Sequence, residues 1–426
     1  MEDLVLRMRA NSPGNSRVGC LSVVLLLMLG TMQQALAVPS GVSLDEALRI
    51  AAENNPELAA ANWSVPISQG ERTQAGLFQN PEISWEMEDT RSDTRTTTVQ
   101  LTQPIELGGK RGARIELADR GVDAAQVEVE RARNALRAEV IQGFYGVLLS
   151  QLRVDLASES MTLAERGMTI AQGRVRAGSA SPIEATRAGV QLSEVRLELK
   201  RAQAELVNAQ ALLKASMGAD SSAAQVAVEG DASGIPTPPA LQELLEGLEN
   251  TPEMRLATLN IAQQDASYGV ERAQRIPDLS ISVGSQYSAA DRERVNLVGL
   301  SMPIPLFNRN QGNVYAAARR ADQARDSRNA TLLRMQASVQ QTVDLWRTAS
   351  EEIDSFNKDI LPSAKSAVES ATRGFEMGKF GFIEVLDAQR TLIGARNQYV
   401  AALGSATDSW VQIERIYGDT LAAPKP

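Results

Sequence analysis

Apolar residues recur at helical spacing along most of this chain and at alternate positions in a few short stretches. Ile115, Ala118, Val122, Ala125, Val129, Ala132, Leu136 and Val140 follow one another in steps of three and four. That is a heptad seam, and it predicts a helix running to about Val175. About 60 residues rising 1.5 Å each would span roughly 90 Å. Ala177-Gly178-Ser179-Ala180-Ser181-Pro182 breaks the run. Gly178 suits a left-handed helix cap, and Pro182 suits the first turn of a new helix. Leu192, Val195, Leu199, Ala202, Leu206, Ala209 and Leu213 then form a second seam, ended by Met217-Gly218. Two seams joined by so short a turn predict an antiparallel helical hairpin.

Before Pro104 the period is two. Ile83, Trp85 and Met87 alternate with Glu82, Ser84, Glu86 and Glu88; after a polar stretch, Val99 and Leu101 alternate with Thr98, Gln100 and Thr102. The pair predicts a β-hairpin with one apolar face. Leu279, Ile281 and Val283, then Val298, Leu300 and Met302 beyond the polar loop Ser288 to Arg294, predict another. Upstream, Ser43 with Glu46 three residues later marks a helix start. That helix runs toward Pro56, and a further helical stretch reaches about Leu77, closed by Asn80-Pro81. Two hairpins cannot bury their apolar faces alone. A closed barrel in lipid, apolar outside and polar inside, fits the alternation. Four strands cannot close one, so several chains must contribute.

The pattern occurs twice. Ala177-Gly178-Ser179 followed by Ile183-Glu184-Ala185 matches Met377-Gly378-Lys379 followed by Ile383-Glu384-Val385, 200 positions on. Glu53-Asn54-Asn55-Pro56-Glu57 matches Glu249-Asn250-Thr251-Pro252-Glu253, Asn80-Pro81-Glu82 matches Ile276-Pro277-Asp278, and Gln103-Pro104-Ile105-Glu106-Leu107 matches Met302-Pro303-Ile304-Pro305-Leu306. Four anchors in one order imply a unit of about 190 residues used twice, too long for a short solenoid repeat. The expected organisation is a signal peptide at 1–37, a first repeat at 38–220, a linker at 221–239 rich in Gly, Ser and Pro, a second repeat at 240–418 and a tail at 419–426. Each repeat is helix, two strands, very long helix, tight turn, helix.

Composition narrows the chemistry. Aromatic residues make up only 4% of the chain, which suits thin helix-on-helix contacts through Ala, Leu and Val better than a thick globular core. Arg7, Arg9 and Arg17 precede the apolar run Leu21 to Leu29, and Ala35-Leu36-Ala37 follows as an A-x-A site. Those three parts in that order read as a secretory signal cleaved after Ala37. A buried N-terminal helix is the alternative, which the order of the three parts argues against; the run is too short to span a membrane. Met8 is a second candidate start. Cys20 is the only cysteine and histidine is absent. The expected mature chain therefore has no thiol or imidazole, which removes Cys/His zinc sites and His or Cys catalysis, and no cofactor is expected. The formal charge of −9 becomes −10 once the three arginines and two acids before residue 38 are removed. Such a chain is a poor nucleic-acid binder.

With these features together, the sequence resembles the TolC-type outer-membrane efflux channels. The run Gln103-Pro104-Ile105-Glu106-Leu107-Gly108-Gly109-Lys110-Arg111 is similar to the CzcC-like branch serving heavy-metal tripartite exporters. The resemblance covers nearly the whole mature chain. It implies a mainly α fold with a membrane β-barrel: a homotrimer in which each chain gives four strands to a twelve-stranded barrel and its coiled-coil helices build a periplasmic tunnel. It implies that Ala177, Gly178, Ser179, Met377, Gly378 and Lys379 form periplasmic tips that meet a periplasmic adaptor, itself linked to an inner-membrane proton-driven RND pump.

Under that resemblance, Glu184, Glu384 and Asp387 are gate candidates, since acids there line the family's constriction. Glu384 and Asp387 are three apart and share a helix face, whereas Arg187 stands where Asp387 would be in the first copy. Three copies of each acid would attract cations and raise some carboxyl pKa values. An ordinary solvated helix face is the alternative, and Arg187 could pair locally with Glu184. Phe375 and Phe380 replace the tyrosine and arginine that often make gate hydrogen bonds. They either form an apolar constriction or simply fill the tip. Lys110, Arg111 and Arg114 oppose the dipole of the helix they begin, so inner-leaflet phosphates or an inter-chain carboxylate would favour them; a solvated charge run is the alternative. Gly108-Gly109-Lys110 is no P-loop, because the leading glycine and the following Ser/Thr are missing. Trp85 is a membrane-facing or a buried tryptophan.

The expected function is a passive outer-membrane exit duct for exported cations, heavy metals above all, without chemistry or a bound metal of its own. The alternatives are the same channel serving organic compounds, or a soluble periplasmic coiled-coil scaffold or adhesin. An enzyme lacks any nucleophile–base pair to work with.

Overall fold

A computed structural model describes residues 41–219 and 227–418. The expected signal peptide with Cys20, the first part of the linker and the C-terminal tail lie outside the described residues.

Helix α1 (Leu44–Asn54) starts at the expected cap, where the Glu46 N–H donates to Ser43 Oγ at 3.3 Å. The Glu46 carboxylate does not reach back to the cap; it binds Arg49 at 2.6 Å. Asn55 caps α2 (Pro56–Asn62), accepting from the Glu57 and Leu58 N–H groups, and its Nδ2 donates to the Ser216 carbonyl at 2.8 Å. The single stretch expected to run to Leu77 is broken at Trp63, and α3 (Ser64–Ala75) begins anew. Pro66 is the reason: it has no N–H to give to the Asn62 carbonyl, so it fits only in a first turn.

Strands β1 (Glu82–Glu88) and β2 (Thr96–Ile105) pair antiparallel. Helix α4 (Lys110–Arg176) follows as 67 unbroken residues, about 100 Å long. It turns at Gly178 into α5 (Pro182–Ser216), and no residue of either predicted seam is exposed. The described part of the linker is fastened to the fold. Val42 and Val228 form a parallel bridge, and Tyr145 Oη on α4 donates to the Gly234 carbonyl at 3.0 Å.

The second unit runs α6 (Leu241–Gly247), a short turn, α7 (Pro252–Ala273), β3 (Leu279–Ser288), β4 (Glu293–Ser301) and α8 (Gln311–Ser355). Helix α7 stays whole because Ala262 stands where Pro66 interrupts the first copy. The long helix does not stay whole. A π turn at Phe356–Ile360 separates α8 from α9 (Leu361–Glu376), and the Leu361 N–H bonds back to the Phe356 carbonyl. Pro362 would break an α turn at this point, and the wider ring absorbs it. The first copy has Thr162 there and needs no such turn. Helix α10 (Phe382–Tyr417) closes the unit.

The two hairpins join through β2 and β3 into one antiparallel sheet of order β1-β2-β3-β4. Ile83, Leu101, Val283 and Val298 align across all four strands. Ile83 is 74% and Val298 83% exposed, so the chain itself leaves this face uncovered. Trp85, also exposed, stands beside them and is not a core residue. The main core lies elsewhere, where α1, α2 and the end of α5 pack on Val140, Ile141, Phe144 and Leu148 of α4.

Candidate functional site

The two helical turns are built by the same hydrogen bonds. Ala177, Gly178 and Ser179 donate to the carbonyls of Gly173, Val175 and Arg174; Met377, Gly378 and Lys379 donate to those of Arg373, Phe375 and Gly374. Gly178 and Gly378 have φ of 71° and 72°. A Cβ at either would meet nothing within 4 Å, so the backbone angle alone calls for glycine there.

The tips pack against each other. Ala171, Ala188, Ala371, Phe375, Phe382 and Val385 form one buried cluster. The Phe375 and Phe382 rings meet edge to face with centroids 5.5 Å apart. Phe375 is fully buried, so it fills the tip and presents no surface to a passage. Phe380 is half exposed, with its ring seated over Gly374: a Cβ there would lie 2.1 Å from it.

Arg174 holds the first tip to the second. Its guanidinium lies 4.6 Å from the Phe375 ring centroid. Nη1 donates to the Phe375 and Phe380 carbonyls at 3.1 and 3.3 Å, and Nη2 donates to the Ser179 carbonyl of its own turn at 3.4 Å. Arg166 adds an ion pair to Glu376 at 2.6 Å. Neither arginine stands out in the sequence read forward. The signal is in the repeat: at an offset of 200, Arg174 faces Gly374 and Ala180 faces Phe380. The large residue has changed sides.

The candidate acids lie near this cluster without ion-pair partners among the described residues. Glu184 is half-buried, and its Oε2 is buried without a hydrogen bond. Glu384 and Asp387 are exposed, as is Arg187, which makes no pair with Glu184. Ala177, Met377 and Lys379 sit at the turns with Gly178, Ser179 and Gly378. Among the described residues, no group of three or more His, Cys, Asp or Glu could hold a metal ion.

The basic cluster has partners within its own chain. Lys110 Nζ lies 2.7 Å from Asp278 Oδ1, which also accepts from the Leu107 N–H. Arg114 grips both oxygens of Glu106 and donates to the Leu77 carbonyl. Arg111 donates to the Gly76 carbonyl at 2.6 Å and lies 4.5 Å from the Phe78 ring centroid. Each of the three cations thus has a partner within its own chain, which the sequence reading did not name. The Arg114 hydrogen bonds hold the Glu106 carboxyl below the usual carboxylate range, against its burial and the nearby charge of Asp278. Lys110 thereby ties the start of α4 to Asp278, and Arg111 and Arg114 tie it to the Gly76 and Leu77 carbonyls beyond α3.

Residues 47–219 and 244–419 match the model of a family described as outer membrane efflux protein. Over 377 residues the chain is 38% identical to the cobalt-zinc-cadmium resistance protein CzcC of Cupriavidus metallidurans, covering 88% of this chain and 90% of that one. It is 31% identical over 338 residues to the nickel and cobalt resistance protein CnrC of the same organism, covering 78% of each. The CmeC outer membrane channel of Campylobacter jejuni shares the fold, with a TM-score of 0.73 at 18% identity over 89% of this chain and 86% of that one.

Proposed function

The chain belongs to the outer membrane efflux protein family, and from that premise we propose that three copies form a passive exit duct for metal cations. It is an outer-membrane efflux channel and not an enzyme. The trimer, the cargo and the partners are the proposal. Each copy would add four strands to a twelve-stranded barrel, while α4, α5 and α8 to α10 build the tunnel wall below it. The tips at 177–179 and 377–379 would receive a periplasmic adaptor, through which an RND pump of the inner membrane delivers cargo. Glu184, Glu384 and Asp387 would gather near the axis as a gate that draws cations in.

The observation that carries this reading is the sheet. It has two unpaired edge strands and an apolar face that the chain leaves bare, a state natural proteins avoid unless something covers it. A soluble scaffold or adhesin gives no reason for that face. Resistance to cobalt, zinc and cadmium in the named relative supports metal over organic cargo. The test is a deletion strain carrying either the intact gene or an empty vector. Sensitivity to divalent metals that the intact gene relieves, with the protein recovered from outer membranes only in detergent, is the expected result. Recovery in the soluble periplasm would refute the duct. Sensitivity confined to organic toxicants would refute the cargo.

A further inference from the structure

The internal repeat is a template for the contact between copies. Within one chain, β2 of the first unit pairs with β3 of the second. If copies of this chain close a ring, β4 of one must meet β1 of the next in the same relation. This inference rests on the homotrimer reading above and adds what that reading leaves open: the strand register and a charged contact. We propose that β4 pairs with β1 of a neighbouring copy in the register Ile304–Ile83, Met302–Trp85 and Leu300–Met87, and that Arg309 forms an ion pair with Glu82 across the joint.

The register comes from transferring observed pairs. Ile105 faces Leu279, Gln103 faces Ile281 and Leu101 faces Val283. The repeat anchors map Ile105, Gln103 and Leu101 onto Ile304, Met302 and Leu300, and map Leu279, Ile281 and Val283 onto Ile83, Trp85 and Met87. Nothing in that mapping requires matched polarity, yet all three transferred pairs are apolar on apolar. A slip by one residue would set each against a polar partner on the opposite face. The strand lengths agree. β2 is paired on both sides and reaches Ile105, whereas β4 has a free edge and stops at Ser301, three residues short of the equivalent Ile304. A partner would let it run on.

The charged contact follows from what changed at the second joint. At the first joint, Gly108 lies so close to Ile276 that a Cβ would stand 2.8 Å from the isoleucine Cβ, and Lys110 bonds Asp278 just beyond. Gly109 and Asn310 cap their long helices with φ of 75° and 57°, which makes Arg309 the counterpart of Gly108 and Gln311 that of Lys110. Glu82 is the counterpart of Asp278, and Asn80 that of Ile276. The lysine's charge is thus missing at the second joint. In its place a cation has appeared two residues earlier, facing a smaller residue that leaves room for its stem. Glu82 and Arg309 are both exposed, and neither has an ion pair among the described residues. The exchange keeps one cation and one carboxylate at each joint.

The full-length protein is tested in outer membranes in a Cys20→Ser background, where engineered thiols are the only ones. Ile83→Cys with Ile304→Cys should cross-link copies into dimers and closed trimers on denaturing gels; Ser84→Cys with Ile304→Cys should lose that ladder. Glu82→Arg and Arg309→Glu should each lower the temperature at which trimers dissociate, and the double reversal should restore it. Equal cross-linking of the slipped pair, or a double reversal no better than the singles, with trimers intact, overturns this register or this ion pair and leaves the homotrimer standing. A wild-type protein whose mass in mild detergent is that of one chain overturns the homotrimer, and this inference with it.

Discussion

The guanidinium of Arg174 covers the ring of Phe375 at 4.6 Å and donates to that residue's own carbonyl at 3.1 Å. One side chain of the first hairpin thereby satisfies the cap and the core of the second. Any motion that parts the two tips must break both contacts. The Phe375 carbonyl would keep its bond from the Gly378 N–H, so the loss is that of the hydrogen bonds from a charged donor, about 1.5–3 kcal/mol at most, and a cation–π contact adds about 0.5–2 kcal/mol. Arg174→Met keeps the stem and removes the donors. Purified channels carrying it should spend more time open in planar bilayers than wild type. Identical open times would mean the contact does not restrain the tips.

The acids give a separate test of the tip. Glu384→Ala combined with Asp387→Ala should raise ion leak or weaken block by divalent cations, and Glu184→Gln should change block in the same direction. Glu384 and Asp387 are exposed and have no ion pair among the described residues, so their removal should leave the melting temperature within the small range of surface substitutions. Unchanged conductance, selectivity and block would reject a gating role.

Glu106 and Arg114 make a pH-dependent lock between sheet and helix. The folded carboxyl lies below its ordinary value because Arg114 bonds the charged form. Its contribution is therefore present above the unfolded pKa and is lost as pH falls through the folded one. Glu106→Gln should lower stability at neutral pH by about 1.5–3 kcal/mol, and its stability should fall less than the wild type's on acidification. Parallel acid limbs for the two proteins would remove Glu106 as the titrating group.

Asn55→Ala tests the join between the start and end of the first unit. It removes a helix cap and the bond to the Ser216 carbonyl. A lost cap typically costs about 0.5–2 kcal/mol, and the buried Ser216 carbonyl should move the result to the upper part of that range. A shift in denaturant midpoint too small to resolve would show that another donor takes over.

Much of this fold was legible because it is periodic. The seams from Ile115 and Leu192, the alternation around Ile83 and Ile281, and the glycines at 178 and 378 each report a local requirement: which face is buried, which strand face is apolar, where φ turns positive. Proline placed two further breaks, at Trp63 and at the π turn before Leu361, which the apolar pattern passed over because a missing N–H leaves no trace in it. The tip was less legible. Phe375 and Phe380 look alike in sequence, yet one is sealed in the core and the other half in solvent.

By itself the sequence determined that one unit is used twice, that each unit is a strand pair followed by a long helical hairpin, and that the described chain has neither histidine nor thiol to do chemistry with. Those are consequences of spacing and composition, which a chain carries whether folded or not. Only the tertiary structure decided where the charges end. Lys110 met Asp278 some 168 residues away, Arg114 met Glu106, and Arg174 crossed to the other hairpin. Such partners are chosen by distance in space, which local periodicity does not encode. Arg114 and Glu106 meet within the first unit, across the bend between strand and helix, whereas Lys110–Asp278 and Arg174–Phe375 come into reach only after the two units have packed side by side and displaced water from between them.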